Sequence, residues 1–235
     1  MSLSVVITTF NRSDVLKQNL DCFLKQTDMD FEIVVAIDGG TDNTPEMLAA
    51  YEAPFPIKWV DTLEHDTYCL AKARNMGIVE TTRPIVVILD DDSFPAPGFV
   101  AAHKATATQG VLTGGYRNSH DPKDSLHAKM KRTLLKYGVR TPHPITERIV
   151  ENNACMYRQD WIGGGMFSER FRGYGGCGQE FIARLAYLGY KYQFNPEAMM
   201  YHHREFEGDN GLTREMKDQQ AREMAVMIQK HCWSY

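Results

Sequence analysis

"IVVILDDDSF", residues 85–94, sets five apolar side chains directly before three carboxylates, Asp90, Asp91 and Asp92. A continuous run of β-branched residues is how a strand buried on both faces reads, in a parallel sheet covered by helices. The three carboxylates repel one another, and taking them out of water is costly without a compensating partner. Two surroundings meet that constraint: water, or a cation. For one Asp after a strand, a solvated loop is the ordinary reading. Three together, directly after a buried strand, bring a binding role level with it. Hard carboxylate oxygens suit Mg²⁺ or Mn²⁺, ions held by one or two side chains plus substrate phosphates.

Working upstream, "LSVVITT" (3–9) reads as another buried strand. Helical spacing follows, through Val15, Leu16, Leu20, Phe23 and Leu24, with Ser13 as its N-cap. "FEIVVAI" (31–37) is a strand closed by the turn residues "DGGTDN". A helix over 44–52, a short strand "IKWV" and a helix near 68–80 complete a βαβαβαβ order. That order predicts an open α/β sheet, mostly parallel and flanked by helices. Ligands of such sheets bind beyond the carboxyl ends of the strands. Thr8, Thr9 and Asn11, then Asp38, then Asp90 to Asp92 stand at those ends and share one rim if the strands are parallel.

Composition narrows the class. Lys and Arg total 26 against 30 Asp and Glu, a net charge of −4 that gives no electrostatic case for nucleic acid. Five cysteines, an odd number without a CxxC pair, read as reduced thiols in a cytoplasmic protein. No apolar run is long enough to span a membrane, and Met1 leads into a strand rather than a signal peptide. Downstream, Leu126, Met130, Leu134 and Tyr137 form one apolar helical stripe within a basic stretch, 123–140. Such a stretch reads first as a solvated helix face, and second as contact with an acidic acceptor or an anionic, peripheral membrane surface. A C-terminal helix near 213–231, with Met216, Met224, Met227 and Ile228 on one side, is expected to pack on the sheet.

Three further patterns bear on chemistry. In "YHH" (201–203) the two histidines point opposite ways from an extended chain, so one at most faces a site. An imidazole joined to the aspartates shifts the ion preference modestly toward Mn²⁺. "GYGGCG" (173–178) spells a dinucleotide fingerprint but lies far from any early βαβ unit, so it reads as a loop bordering a pocket. Glu180 and Arg184, four apart on a helix ended by Gly189, are either an ordinary ion pair or a carboxylate presented at a helix start.

Together these pieces resemble the GT-A fold glycosyltransferases of family 2 over nearly the whole chain. "SVVITTFNR" looks like the opening strand and nucleotide loop, and "EIVVAIDGGTDNT" like the second strand and its acidic turn. "AKARNMGI" is similar to the A-R-N-x-G-I segment, and "VVILDDDSFPAPGFV" to the D-x-D element. "NNACMYRQDWIGGGMFSERFRGYGG" resembles the stretch leading to the acceptor side, and "EAMMYHHREF" the late strand ending in histidine.

The resemblance implies one GT-A domain over 1–235, with a nucleotide-binding half (1–116) and an acceptor-side half (117–235). It implies a nucleotide-sugar donor, by default a UDP-sugar, and a glycan, lipid-linked or small-molecule acceptor. Thr8 and Asp38 would contact the base, with Phe10 and Arg12 in the nucleotide loop. Arg74 would hold the nucleotide or its phosphates, and Asp90, with Asp91 beside it, would approach the ribose. Asp92 would bind Mn²⁺ or Mg²⁺, completed by His202 or else His203. Trp161, Tyr174, Gly175 and Gly176 would lie on the acceptor side.

One departure concerns the inverting displacement. Where the family shows Glu-Asp after the "RGYGG" segment, this chain has Cys177 and Gly178. Glu180 is then the candidate base. The alternative is a chain that binds sugar-nucleotides with little or no transfer. A nucleotidyltransferase, the rival enzyme class, needs a glycine-rich basic loop after the first strand, and "TTFNRSD" has one Arg and no glycine there.

Overall fold

The computed structural model describes residues 1–65, 68–118, 150–172 and 176–202, with Glu215, Asp218, Gln219, Arg222, Glu223 and Val226, all six helical. The basic stretch 123–140, its apolar stripe, Tyr174, Gly175, His203 and the methionine stripe of the C-terminal helix lie outside the described residues.

Eight strands make one sheet: β1 (Leu3–Thr9), β2 (Phe31–Ile37), β3 (Ile57–Asp61), β4 (Ile85–Asp90), β5 (Ser93–Pro95), β6 (Val111–Asn118), β7 (Ala154–Tyr157) and β8 (Lys191–His202). Their order is β3-β2-β1-β4-β7-β6-β8-β5. The first four in chain order are parallel, as the buried strand runs predict. The sheet beyond them is mixed: β7 runs antiparallel to β4 and β6, β8 is parallel to β6, and β5 is antiparallel to β8. Both expected halves feed this one sheet, since β7 inserts between β4 and β6.

Helices cover both faces, which is why the central strands are apolar throughout. Leu3, Val5, Ile7, Ile33 and Val35 pack with Leu16, Leu20 and Phe23 of α1 (Ser13–Phe23), Leu48 of α2 (Thr44–Ala50) and Phe99 of α4 (Phe99–Thr106). The alternate residues Val6, Val34, Ala36, Val86 and Ile88 pack with Ala73 and Ile78 of α3 (Leu70–Glu80), Trp161 of α5 (Arg158–Gly163) and Phe181 of α6 (Cys177–Tyr187). Each such fully buried side chain contributes about 1.5–3 kcal/mol. Gly77 lets α3 lie close to the sheet, because a Cβ there would meet Val6 Cγ1 at 2.4 Å.

Helix starts depart from the sequence reading in one respect. Ser13 is the first helical residue rather than the cap, and its N–H donates to Asp42 Oδ2 at 2.9 Å. The acidic turn therefore satisfies the helix that precedes it in the chain. Leu24, expected on the apolar stripe, is exposed past the helix end, whereas Asn19 of α1 is fully buried.

Candidate functional site

Parallel pairing of β1, β2 and β4 brings the groups at their carboxyl ends onto one rim, Thr8 opposite Asp90 in the register. Asn11 ties the first loop to the acidic turn, its Oδ1 accepting the N–H groups of Thr41 (2.6 Å) and Asp42 (3.2 Å). Phe10 stays 40 % exposed beside this loop, its ring edge-on to Tyr68 at 6.4 Å. Asp38 is buried and accepts the Cys69 N–H at 3.0 Å on each oxygen, so it caps the start of α3. Burial pushes its pKa up to about 6, against that N–H.

The three aspartates are held apart by protein cations as much as by space. Arg74 of α3, 1 % exposed, donates from Nη2 to Asp90 Oδ1 at 2.8 Å, and Thr8 Oγ1 donates to the same oxygen at 3.0 Å. Burial works against ionisation of Asp90, but Arg74 outweighs it and the carboxyl sits below its ordinary range. Burial likewise opposes the Arg74 charge, yet Asp90, Cys177 and Glu151 together raise its pKa. Arg12 bridges the other two, Nη2 to Asp91 and Nη1 to Asp92 Oδ2 at 3.3 Å.

Asp91 and Arg12, expected at the nucleotide, are thus engaged with each other. The Asp91 side chain is fully buried, accepts Thr9 Oγ1–H at 2.7 Å and stabilises the turn. Burial, with Asp92 and Asp90 nearby, pushes its pKa to about 7 despite Arg12. Asn19 clamps the same turn from below, its Nδ2 donating to the carbonyls of Asp91 (3.0 Å) and Ser93 (2.6 Å). The sequence signal for Asn19 is a polar residue on the buried stripe of α1, between Leu16 and Phe23.

Asp92 meets the late histidine. β5 pairs with β8 so that Ser93 faces His202, and Asp92 Oδ1 lies 3.6 Å from His202 Nε2. Burial, then repulsion from Asp90, pushes the Asp92 pKa to about 6. The donor set fits a small divalent ion: a hard oxygen and an imidazole nitrogen side by side. Among the described residues no group of three or more His, Cys, Asp or Glu side chains is placed to hold a metal ion by itself. Mg²⁺ and Mn²⁺ sites that rely on phosphate oxygens for the remaining positions have this character.

On the far side of Arg74 lie residues the sequence reading missed. Asn152 Oδ1 accepts the Asp90 N–H at 3.1 Å, and its Nδ2 donates to Ser93 Oγ at 2.8 Å. Glu151 Oε1 is 3.7 Å from Arg74 Nη1. A polar "ENN" directly before a buried strand was the signal available. Cys177, at the start of α6, accepts from Arg74 Nη1 at 3.6 Å, and burial raises its thiol to about 11, so it is protonated at neutral pH. Gly176 just before it has φ +91°, a left-handed entry into the helix.

Two residues expected at the site have buried side chains with partners in the protein interior. Trp161 is not on an acceptor surface: it is 0 % exposed, stacks on Phe181 at 5.0 Å and donates from Nε1 to Val86 O. Its size and ring nitrogen are used by the core. Glu180, expected as the base, is 1 % exposed, and both its oxygens accept from Arg184, Nε at 2.8 Å and Nη2 at 3.0 Å. Arg184 goes on to bond the carbonyls of Gly164 and Met166, so the pair pins the loop after α5. The ordinary i,i+4 reading of this pair holds.

Comparison with known proteins agrees with this architecture. The validoxylamine A glucosyltransferase of Streptomyces hygroscopicus subsp. jinggangensis is 38 % identical over 148 residues, covering 59 % of this chain and 34 % of the relative. The chain thus spans about a third of that relative's length. TarS of S. aureus (residues 1–349, in complex with UDP-GlcNAc) superposes with a TM-score of 0.70 at 15 % identity, covering 97 % of this chain and 67 % of TarS. The mannosyltransferase PcManGT of Pyrobaculum calidifontis, in complex with GDP-Man and Mn²⁺, gives 0.64 at 23 % identity over 85 % of this chain and 56 % of its own. Among the described residues no helix is long and apolar enough to cross a membrane. With the family profile matching residues 4–162, more than half its length, the chain belongs to glycosyl transferase family 2.

Proposed function

We propose that the chain acts as one catalytic domain that moves a sugar from a nucleoside-diphosphate donor, by default a UDP-sugar, to an acceptor hydroxyl with inversion at the anomeric carbon. The observation that carries this is the Asp92–His202 pair at the same rim as the Arg74–Asp90 pair. That combination offers a site for Mn²⁺ or Mg²⁺ beside a site for the ribose and phosphates. The neighbours bound to UDP-GlcNAc, or to GDP-Man with Mn²⁺, support it. When bound, the ion supplies Lewis-acid stabilisation of the leaving diphosphate.

The chain's own residues supply the rest. Exposed Phe10 and half-buried Tyr68 flank the base site, and Thr8 fixes the rotamer of Asp90 toward the ribose. Arg74, preorganised by burial and three neighbours, offers fixed positive charge where the diphosphate collects negative charge.

Thermal shift tests the binding half. UDP-GlcNAc or GDP-mannose with Mn²⁺ should raise the melting temperature, by about 2.7 kcal/mol of stability at a hundredfold excess over Kd. EDTA should abolish the increment. No shift with either donor in Mn²⁺ would refute the reading. Release of nucleoside diphosphate, rather than pyrophosphate, separates it from a nucleotidyltransferase. A second reading, a donor-binding chain with little turnover, is favoured by the commitment of Glu180 to Arg184.

A further inference from the structure

We propose that Glu151 is the general base of the transfer, in the space that the missing side chain at position 178 leaves open. This rests on the transferase reading above. The resemblance expects a carboxylate at the start of α6, where the chain has Cys177 and Gly178. A Cβ built on Gly178 would sit 2.1 Å from Glu151 Cδ and 2.4 Å from its Oε2. The Glu151 carboxyl therefore fills the volume over Gly178, delivered from another segment.

Three observations make it a reactive group and not a filler. Its side chain is 11 % exposed, and Oε2 is buried with no hydrogen-bond partner among the described residues. An orphaned carboxylate oxygen is costly to maintain, and an acceptor hydroxyl is the kind of donor it lacks. Its Oε1 faces Arg74 at 3.7 Å, which in turn holds Asp90, so the carboxyl stands one side chain from the proposed ribose contact. The backbone is also fixed: Asn153 N–H donates to Ile88 O at 2.8 Å and Asn152 accepts the Asp90 N–H, stitching residues 151–153 to the end of β4. The rival carboxylates are engaged, Glu180 by Arg184 and Asp38 by the Cys69 N–H.

In the step, the acceptor oxygen forms a bond to the anomeric carbon while the bond from that carbon to the β-phosphate oxygen breaks. The electron pair leaves with the nucleoside diphosphate, and the hydroxyl proton passes to Glu151 Oε2. The proton then goes to solvent.

Donor consumption with Mn²⁺ tests the assignment, using UDP-GlcNAc and GDP-mannose with water or a panel of free monosaccharides as acceptors. Glu151→Gln should lower kcat about 10²–10⁴-fold. It should leave the donor-induced melting shift intact. Glu180→Gln should lower the melting temperature and keep turnover. Glu151→Ala combined with Gly178→Asp frees the space and returns a carboxyl to the helix start, so it should regain part of the lost rate. Full turnover in Glu151→Gln overturns the assignment alone, as does joint loss of donor binding and rate. So does a folded double variant no faster than Glu151→Ala. A parent chain that neither binds nor consumes either donor brings down the transferase reading with it.

Discussion

Arg74 shows how one buried side chain can serve stability and a site together. Its guanidinium is 1 % exposed and shared among Asp90, Glu151 and Cys177, with its Nε left without a hydrogen bond among the described residues. Removing one member of a buried charge pair strands the other, at about 3–5 kcal/mol. Arg74→Met should therefore lower the unfolding free energy from urea titration by that amount, and a value within about 1 kcal/mol of the parent would show the pair to be dispensable. The sequence made Arg74 legible as a candidate site residue through its segment, but not its burial. The burial of Asp91 was hidden for a related reason: three adjacent carboxylates look equivalent in a string, and only the fold shows that one of them turns inward to Thr9. Glu151 was invisible because its significance depends on a glycine that follows it only in space.

His103 of α4 titrates in isolation from that cluster. The ring is fully buried, with Nε2 2.7 Å from Asn153 Oδ1, and burial pushes its pKa down to about 4. A folded pKa below the unfolded value of about 6.5 favours the neutral form. Its contribution is whole above about pH 6.5 and is lost as the pH falls toward 4, up to about 3 kcal/mol. Melting curves of the parent and His103→Gln should converge over that interval and run parallel above it. Curves parallel throughout would mean the ring is not held neutral.

At the scale of elements, patterning served well where one helix meets one strand. The four parallel strands and α1 to α3 fell close to their expected spans, because alternating strands and helices leave few ways to bury continuous apolar runs. The later elements were harder. β8 alternates exposed and buried residues along a polar sequence, and β5 is three residues long, so neither carries a strong period. Contact between α3 and β1 can be tested at Gly77. Alanine there gains about 1 kcal/mol in helix propensity but drives a methyl group into Val6, an overpacking cost of about 1–3 kcal/mol. Gly77→Ala should be net destabilised by denaturant titration, and Val6→Ala in the same chain should restore part of the loss. A Gly77→Ala chain more stable than the parent would show that α3 has room to shift.

At the scale of the molecule, the strand order assembles the proposed ion site from two segments far apart in the chain, around Asp92 and around His202. Asp92 and His202 act as a unit there, so their effects should not add. Asp92→Asn, His202→Ala and the double variant should each lose the Mn²⁺-dependent part of the donor-induced melting shift to the same degree. Additive, partial losses would place the two side chains on separate functions. The two segments were each legible as a motif, and their meeting only through the family resemblance, since neither local period nor composition encodes that β8 returns to lie beside β5.

That return sets a tolerance on evolution and on design. The imidazole is aimed by backbone pairing, Ser93 with His202 and Pro95 with Met200, and successive residues of a strand face opposite ways. Deleting one residue between Met200 and His202 would turn the ring to the wrong side of the sheet in one stroke, leaving the nucleotide loop untouched. Length in this strand is therefore as heritable a requirement as the identity of the proposed ligand it carries.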